Sequence, residues 1–188
     1  MPTFLVPIII VAFIAFIVSF IYMIKRYRRC PPDKILVIFG AVGKERSFKC
    51  IHGGSAFVMP LYQDYTYLSL TPMETEVNIL KCFSNNKDFC FNIKANFTFA
   101  IGTEEHLMNE AATKLLNLSI NDIEDLAKEI IYGQLRLSIA SFSPDDLRKE
   151  NEKFLDAVKA NIEPELNKIG LKLINIFISE LEYCKDSN

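Results

Sequence analysis

The sequence has few of the residues on which catalysis usually depends. Its 188 residues include two histidines, His52 and His106, and no Trp. No HExxH, GxSxG or dinucleotide-binding glycine pattern occurs. We interpret both histidines as surface residues, His52 in a Gly-rich turn and His106 in the first turn of a helix. The sequence therefore predicts no enzyme, no catalytic residues and no cofactor.

The cysteines lack the spacing of a metal site or a disulfide framework. They are odd in number, with no CxxC pair: Cys30, Cys50, Cys82, Cys90 and Cys184. We expect reduced, small apolar residues in a cytosolic domain, and no metal site. Cys30, beside the predicted membrane segment, could instead accept a palmitoyl chain in a eukaryotic host. The inert thiol and the acylated one are both left open.

One segment matches the pattern of a phosphate-binding loop only in part. Residues 40–44 read Gly-Ala-Val-Gly-Lys, but Ile38 stands where the first Gly is needed. Glu45 replaces the Ser or Thr that would hold magnesium. This segment is predicted to be a hairpin turn.

Charge is absent from the beginning of the chain. No charged residue occurs from Thr3 to Ile24, and roughly 22 helical residues at about 1.5 Å each reach about 33 Å, enough to cross a bilayer core. The predicted anchor residues are Phe4, Leu5, Ile8, Ile9, Ile10, Val11, Phe13, Ile14, Phe16, Ile17, Val18, Phe20, Ile21 and Ile24.

Two other structures compete with a spanning helix. A cleaved signal peptide carries its positive charge before a shorter apolar core, whereas here the charge follows a long one. A re-entrant hairpin would be favoured by Pro7, which removes a helix hydrogen bond. The spanning helix is preferred, and the hairpin stays open.

Four basic residues follow the anchor: Lys25, Arg26, Arg28 and Arg29, here called the basic collar. Such residues stay on the cytoplasmic side of a membrane. We therefore expect a single-pass protein with its N-terminus outside and its C-terminal domain in the cytoplasm. The collar would lie at the lipid headgroups, with Tyr22 and Tyr27 at the same interface.

Beyond the collar the chain is acidic. Removing its four residues from the 21 Lys and Arg leaves 17 basic against 23 acidic residues, a net charge of −6. Nucleic-acid phosphates require a basic surface, so no nucleic-acid partner is expected.

The next segments predict an α+β domain. Residues 25–32 are a basic linker stiffened by Pro31-Pro32, and 33–102 are β-rich. Strands are expected at 34–39, 46–51, 55–59, 64–70, 74–83 and 89–101, the second to fourth as an antiparallel meander. Between 89 and 101, Phe91, Ile93 and Phe97 alternate with polar residues, which indicates a sheet buried on one face.

The period then changes to that of helices, over residues 103–183. Thr103, then Ser119 or Asn121, then Ser143 are suitable N-caps. Pro164 should interrupt or kink the last helix, and Gly170 should end it. A closing strand is expected at 171–179, and 184–188 as a tail.

Several segments together resemble flotillin-like members of the SPFH superfamily, also called prohibitin-homology, band-7 or stomatin-prohibitin-flotillin. They are residues 29–40 (RCPPDKILVIFG), 51–60 (IHGGSAFVMP), 67–70 (YLSL), 133–136 (GQLR) with Ile139, Phe154 and 166–171 (LNKIGL). The resemblance implies a membrane-attached, non-catalytic domain whose copies assemble side by side into rings or cages. Family members continue into a long Ala- and Glu-rich coiled coil, which is lacking before Asn188. The chain is expected to be a fragment, to assemble weakly, or to serve as an adaptor to longer relatives.

Two functions follow from the resemblance. The first is a membrane-anchored scaffold that self-associates laterally, or associates with related SPFH proteins, to organise membrane microdomains. The alternative is a regulatory or adaptor subunit that binds one membrane protein or protease without forming rings. Membrane lipids are partners in both.

Overall fold

The computed structural model describes residues 5–41, 47–59, 62–83, 89–141 and 151–185. The chain divides into two compact units between Leu68 and Ser69. The sequence analysis placed the division of the β-rich and helical halves after residue 102. The two longest predicted strands, 74–83 and 89–101, therefore lie in the same compact unit as the helices.

The first unit begins with helix α1, Leu5–Lys25. Its 19 residues from Pro7 to Lys25 are long and apolar enough to cross a membrane, and none of the most apolar window is buried in the protein. Arg26 ends the helix in a turn, where its backbone N–H donates to the carbonyl of Met23 (3.2 Å).

A short antiparallel ribbon follows α1 directly. Strand β1 (Tyr27–Arg29) pairs with β4 (Ser55–Phe57), with Tyr27 opposite Phe57. The sequence analysis assigned β1 to a linker and β4 to a continuous meander. The three residues of β1 include two arginines and show no alternating pattern. The pairing of β1 with β4 is therefore decided by tertiary contacts.

The main sheet of the first unit has the order β3-β2-β5. Its strands are β2 (Lys34–Gly40), β3 (Phe48–His52) and β5 (Gln63–Ser69). The central strand β2 is a continuous apolar run, and its residues 35–38 are at most 4% exposed. Beside it, Cys30, Leu36, Ile38 and Val58 form a small core. The predicted turn at 40–44 falls largely outside the described residues.

The second unit is built on a sheet of the order β6-β7-β8. Its strands are antiparallel: β6 (Met73–Phe83), β7 (Phe89–Ile101) and β8 (Leu171–Lys185). The predicted alternation of β7 is confirmed from Ile93 onward, where Phe97 and Phe99 are fully buried. The closing strand runs beyond its predicted end, and residues 184 and 185 pair with β7 instead of forming a tail.

Three described helices cover one face of this sheet: α2 (Glu105–Lys114), α3 (Ile120–Ser141) and α4 (Asn151–Asn167). α3 packs on β6 and on α4, and α4 packs on β8. Between α3 and α4, the buried Ser138 hydroxyl accepts a hydrogen bond from the Asn161 amide at 2.9 Å. The apolar N-terminal helix, the antiparallel sheets, the helices and the closing strand confirm the predicted fold class.

The predicted helix ends have mixed outcomes. Ser119 caps α3, since its hydroxyl accepts from the backbone N–H of Asp122 (3.2 Å) and the Asp122 carboxylate accepts from the N–H of Ser119 (3.0 Å). Thr103 is wrong as a cap, because Glu104 occupies that position of α2. The cap predicted at Ser143 lies outside the described residues.

The end of α4 follows the prediction at Gly170 but not at Pro164. α4 is not interrupted at Pro164 and continues to Asn167. Pro164 has no backbone N–H to donate to the carbonyl of residue 160, so it removes one helix hydrogen bond without ending the helix. Gly170 then takes a positive φ of 81°.

Candidate membrane-facing site

The surface of α1 is apolar in every direction. The predicted anchor side chains from Ile8 to Ile24 are between 41% (Ile17) and 69% (Phe16) exposed. Phe4 lies outside the described residues, and the side chain of Leu5 is not described. A soluble helix hides one stripe against a core, whereas a helix exposed and apolar all round requires an apolar solvent.

The four residues of the basic collar lie in different surroundings. Lys25 and Arg29 are exposed. The Arg26 guanidinium donates to the hydroxyl of Tyr22 (3.4 Å), which raises the pKa of Arg26, and lies 5.6 Å from the centre of that ring. These three charges lie at the end of the apolar helix, where lipid headgroups are expected.

Arg28 lies on the other face of β1 and is half-buried. Its guanidinium stacks 4.9 Å from the ring centre of Tyr65, which meets Tyr67 edge to face at 5.7 Å. Tyr67 in turn donates to the carbonyl of Arg29 (3.3 Å) and carries the Lys34 ammonium 5.9 Å from its ring centre. Arg28 therefore ties the ribbon to the sheet of the same unit through a cation–π contact.

The cysteines described in this unit are not reactive surface thiols. Cys30 is 7% exposed, and its thiol donates to the carbonyls of Lys34 (3.1 Å) and Ile51 (3.3 Å). Acylation would require Cys30 to leave this core, so the structure favours the inert thiol. Burial raises the pKa of Cys50 to about 11, which keeps that thiol protonated.

An apolar groove joins the end of α1 to the ribbon. It is lined by Phe20, Met23, Ile24, Tyr27 and Phe57, and is here called the interfacial groove. Tyr27 is 53% and Phe57 44% exposed, and the Tyr27 hydroxyl is hydrogen-bonded to Ser55. The groove continues the apolar surface of the membrane helix onto the folded domain.

The sequence analysis identified Tyr27 as an interfacial residue but missed Phe57. Phe57 lies 30 positions further along the chain, and only the β1–β4 register brings it opposite Tyr27. Met59 (49% exposed) and Tyr62 (65%) add further large apolar surface in the same unit. The clue available in the sequence was the run of large apolar residues around Pro60.

The sequence analysis predicts no catalytic or metal-binding residues anywhere in the chain. The structure describes only part of the chain. In the described ranges, no three His, Cys, Asp or Glu side chains converge as metal ligands. Both histidines are exposed. The Nδ1 of His106 lies 3.7 Å from the Glu104 carboxylate.

Comparison with known proteins identifies the family. The protein-family model described as "SPFH domain / Band 7 family" matches residues 28–187 of this chain. The chain is 26% identical to the flotillin-like protein FloT of Bacillus subtilis, over 94% of this chain and 36% of that protein. It is 28% identical to a flotillin family inner membrane protein of Synechocystis (96% of this chain, 28% of that one).

The flotillin family inner membrane protein YqiK of Escherichia coli is 24% identical, over 95% of this chain and 32% of that protein. The chain thus spans about a third of the length of these relatives. The match of the family model over most of the sequence agrees with the resemblance seen in its motifs. The chain belongs to the SPFH domain / Band 7 family, with flotillin-type proteins among its relatives.

Proposed function

We propose that this protein is a non-enzymatic, membrane-anchored scaffold that self-associates laterally and organises the lipids and proteins of a membrane patch. The observation that carries the proposal is α1, an apolar helix of membrane-spanning length whose surface is exposed all round. Such a surface is stable only in lipid.

The interfacial groove supports close attachment of the first unit to the bilayer. β1 begins two residues after α1 ends, so at about 3.3 Å per residue its start is within roughly 7 Å of the helix end. Tyr27 and Phe57 then reach the headgroup level, where aromatic side chains are favoured. Lys25 and Arg29 are free to approach lipid phosphates, whereas Arg28 is engaged with Tyr65.

The basic collar supports the orientation. Lys25 is the last residue of α1 and the other three collar residues follow it, whereas the Met1-Pro2 end carries no side-chain charge. By the positive-inside rule, the N-terminus lies outside, and the part of the chain that follows α1 lies in the cytoplasm. This is a single-pass topology.

Lateral self-association is supported by family membership and by large apolar side chains left exposed on the second unit. Leu80, Leu137 and Phe177 are each more than half exposed. Isolated apolar residues are ordinary on a surface, but side chains this exposed suit contacts between copies, or with related SPFH proteins.

The proposal is tested with the full chain in native membranes. Crosslinking before mild detergent extraction, followed by gradient sedimentation, should give heavy assemblies that contain many copies. A protein that sediments as a monomer and gives no self-crosslinks would contradict lateral self-association. Crosslinks to a single stoichiometric membrane protein or protease, without self-crosslinks, would support the regulatory or adaptor subunit instead.

A further inference from the structure

The second unit has two exposed surfaces that complement each other. We propose that the open face of the β6-β7-β8 sheet in one copy binds the outer stripe of α3 in the next copy. This inference rests on the proposed self-association and names the surfaces that would perform it. The ligand is a second copy of this chain.

The open sheet face combines apolar side chains with acidic ones. The helices cover the opposite face of the sheet. On the open face, Phe177 of β8 is 59% exposed and Leu80 of β6 is 69% exposed. Glu180 and Glu182 follow Phe177 along β8 and are also exposed. A large aromatic side chain near carboxylates suits an apolar surface with a cation beside it.

The outer stripe of α3 provides such a surface. It consists of Gly133, Arg136, Leu137 and Ala140, at helical spacing and opposite the buried stripe that includes Ile131 and Leu135. Leu137 is 64% exposed. The missing side chain at Gly133 leaves the helix backbone bare next to Leu137, with open space around it.

Nothing within this unit's own packing requires glycine at position 133. A Cβ built there would meet no atom within 4 Å. Glycine inside a helix costs about 1 kcal/mol relative to alanine. The cost is accounted for if the bare backbone at Gly133 is approached closely by a side chain from another copy, namely Phe177.

Opposite charges lie near the two docking residues. Arg136 lies one helical turn from Gly133, at about 5–6 Å. Glu180 lies on the same face of β8 as Phe177, at roughly 10 Å along the strand. Within the described part of the chain, neither Arg136 nor Glu180 forms an ion pair. Docking Phe177 at Gly133 brings Arg136 and Glu180, which have opposite charges, to the same interface, where they can pair.

The symmetry of the contact has a consequence for assembly. The buried stripe of α3 faces the sheet, so its outer stripe and the open sheet face lie on opposite sides of the same two layers. A contact between two different surfaces is heterologous, and it repeats from copy to copy into a ring or a filament. A closed dimer would leave one surface of each kind unused.

A charge-swap experiment on the full chain in membranes tests the contact. Arg136→Glu alone and Glu180→Arg alone should each reduce self-crosslinked species about tenfold, because each places like charges in contact. The double variant should restore assembly. Lys128→Glu is the matched control, since it reverses an exposed charge of the same helix outside the stripe.

Gly133→Gln separates docking from folding. Glutamine is the better helix former and its Cβ meets no atom within 4 Å, so the thermal midpoint should not fall. Its side chain covers the bare backbone, and self-crosslinking should decrease as with Arg136→Glu. Loss of assembly without loss of stability would support the interface.

The outcomes distinguish this inference from the function on which it rests. If the wild type assembles and these variants assemble equally well, the proposed interface is wrong while lateral self-association stands. The same holds if the double charge swap fails to restore assembly. If the wild type is monomeric in its membrane, both the interface and the self-association are contradicted.

Discussion

We expect the interfacial groove of the first unit to insert into the headgroup layer of the membrane. Phe57 is the residue to change, because it lies at the groove and 44% of it is exposed. Fully burying a phenylalanine is worth about 1.5–3 kcal/mol, so the exposed part of Phe57 contributes about 1 kcal/mol on entering lipid. Phe57→Asp also places a charge at the interface, which adds up to about 1 kcal/mol.

The total of about 1–2 kcal/mol corresponds to a 5- to 30-fold fall in the equilibrium constant for insertion of the ribbon. Sedimentation with vesicles will not reveal it, because α1 still holds the chain in the bilayer. A local probe is needed. The chain contains no Trp, so a single introduced one is the sole indole emitter. Met59, 49% exposed and two residues beyond Phe57, is a suitable position.

The assay measures quenching of a Met59→Trp reporter by brominated lipids. Bromines placed near the headgroups should quench it more strongly than bromines at the chain ends. Adding Phe57→Asp should greatly reduce the quenching, whereas adding Phe57→Leu, which keeps the site apolar, should not. Equal emission in brominated and ordinary vesicles, or quenching unchanged by Phe57→Asp, would refute the insertion of the ribbon.

Three further predictions concern topology, backbone strain and titration. Neutralising the basic collar should give mixed orientations of a C-terminal reporter, as measured by protease protection, and a reporter that stays fully cytoplasmic would contradict the charge argument. Gly170→Ala should lower the free energy of unfolding by about 2–4 kcal/mol in thermal melts, because φ is 81° and its Cβ would lie 2.3 Å from the backbone nitrogen of Ala111. Gly53→Ala is the matched control at a similar φ of 74° with open space, and should cost about 1 kcal/mol; equal losses would contradict the steric argument. The ion pair with Lys172 (2.8 Å) lowers the pKa of Glu104, so its contribution is present above the usual pKa of 4.5 and is lost as the pH falls through the lowered value. Lys172→Met should move the pKa of Glu104 upward in an NMR titration of its carboxyl carbon, and an unchanged pKa would show that the pair does not persist in solution.

The parts of the fold predicted from the sequence are those specified by local patterns. The apolar run of α1, the alternation of β7, the cap at Ser119 and the stop at Gly170 each depend on residues close together in the chain. The β1–β4 ribbon was missed because Tyr27 and Phe57 carry no pattern that links them across 30 positions. Arg28 was assigned to lipid with the rest of the basic collar, and its stacking on Tyr65 depends on where two separate strands lie.

Anchoring by α1 helps the proposed interface between α3 and the sheet to form, so that a modest contact is sufficient for assembly. The proposed interface rests on two apolar side chains, Phe177 and Leu137, and one charge pair, which is small for a contact that forms from dilute solution. α1 confines every copy to the same membrane, where the effective concentration of one copy near another is far higher than in solution. Because part of the entropic cost of association is then already met by anchoring, a contact too weak to assemble soluble domains can join anchored ones. In the proposed assembly, the exposed apolar helix and the exposed surfaces of the second unit therefore act together.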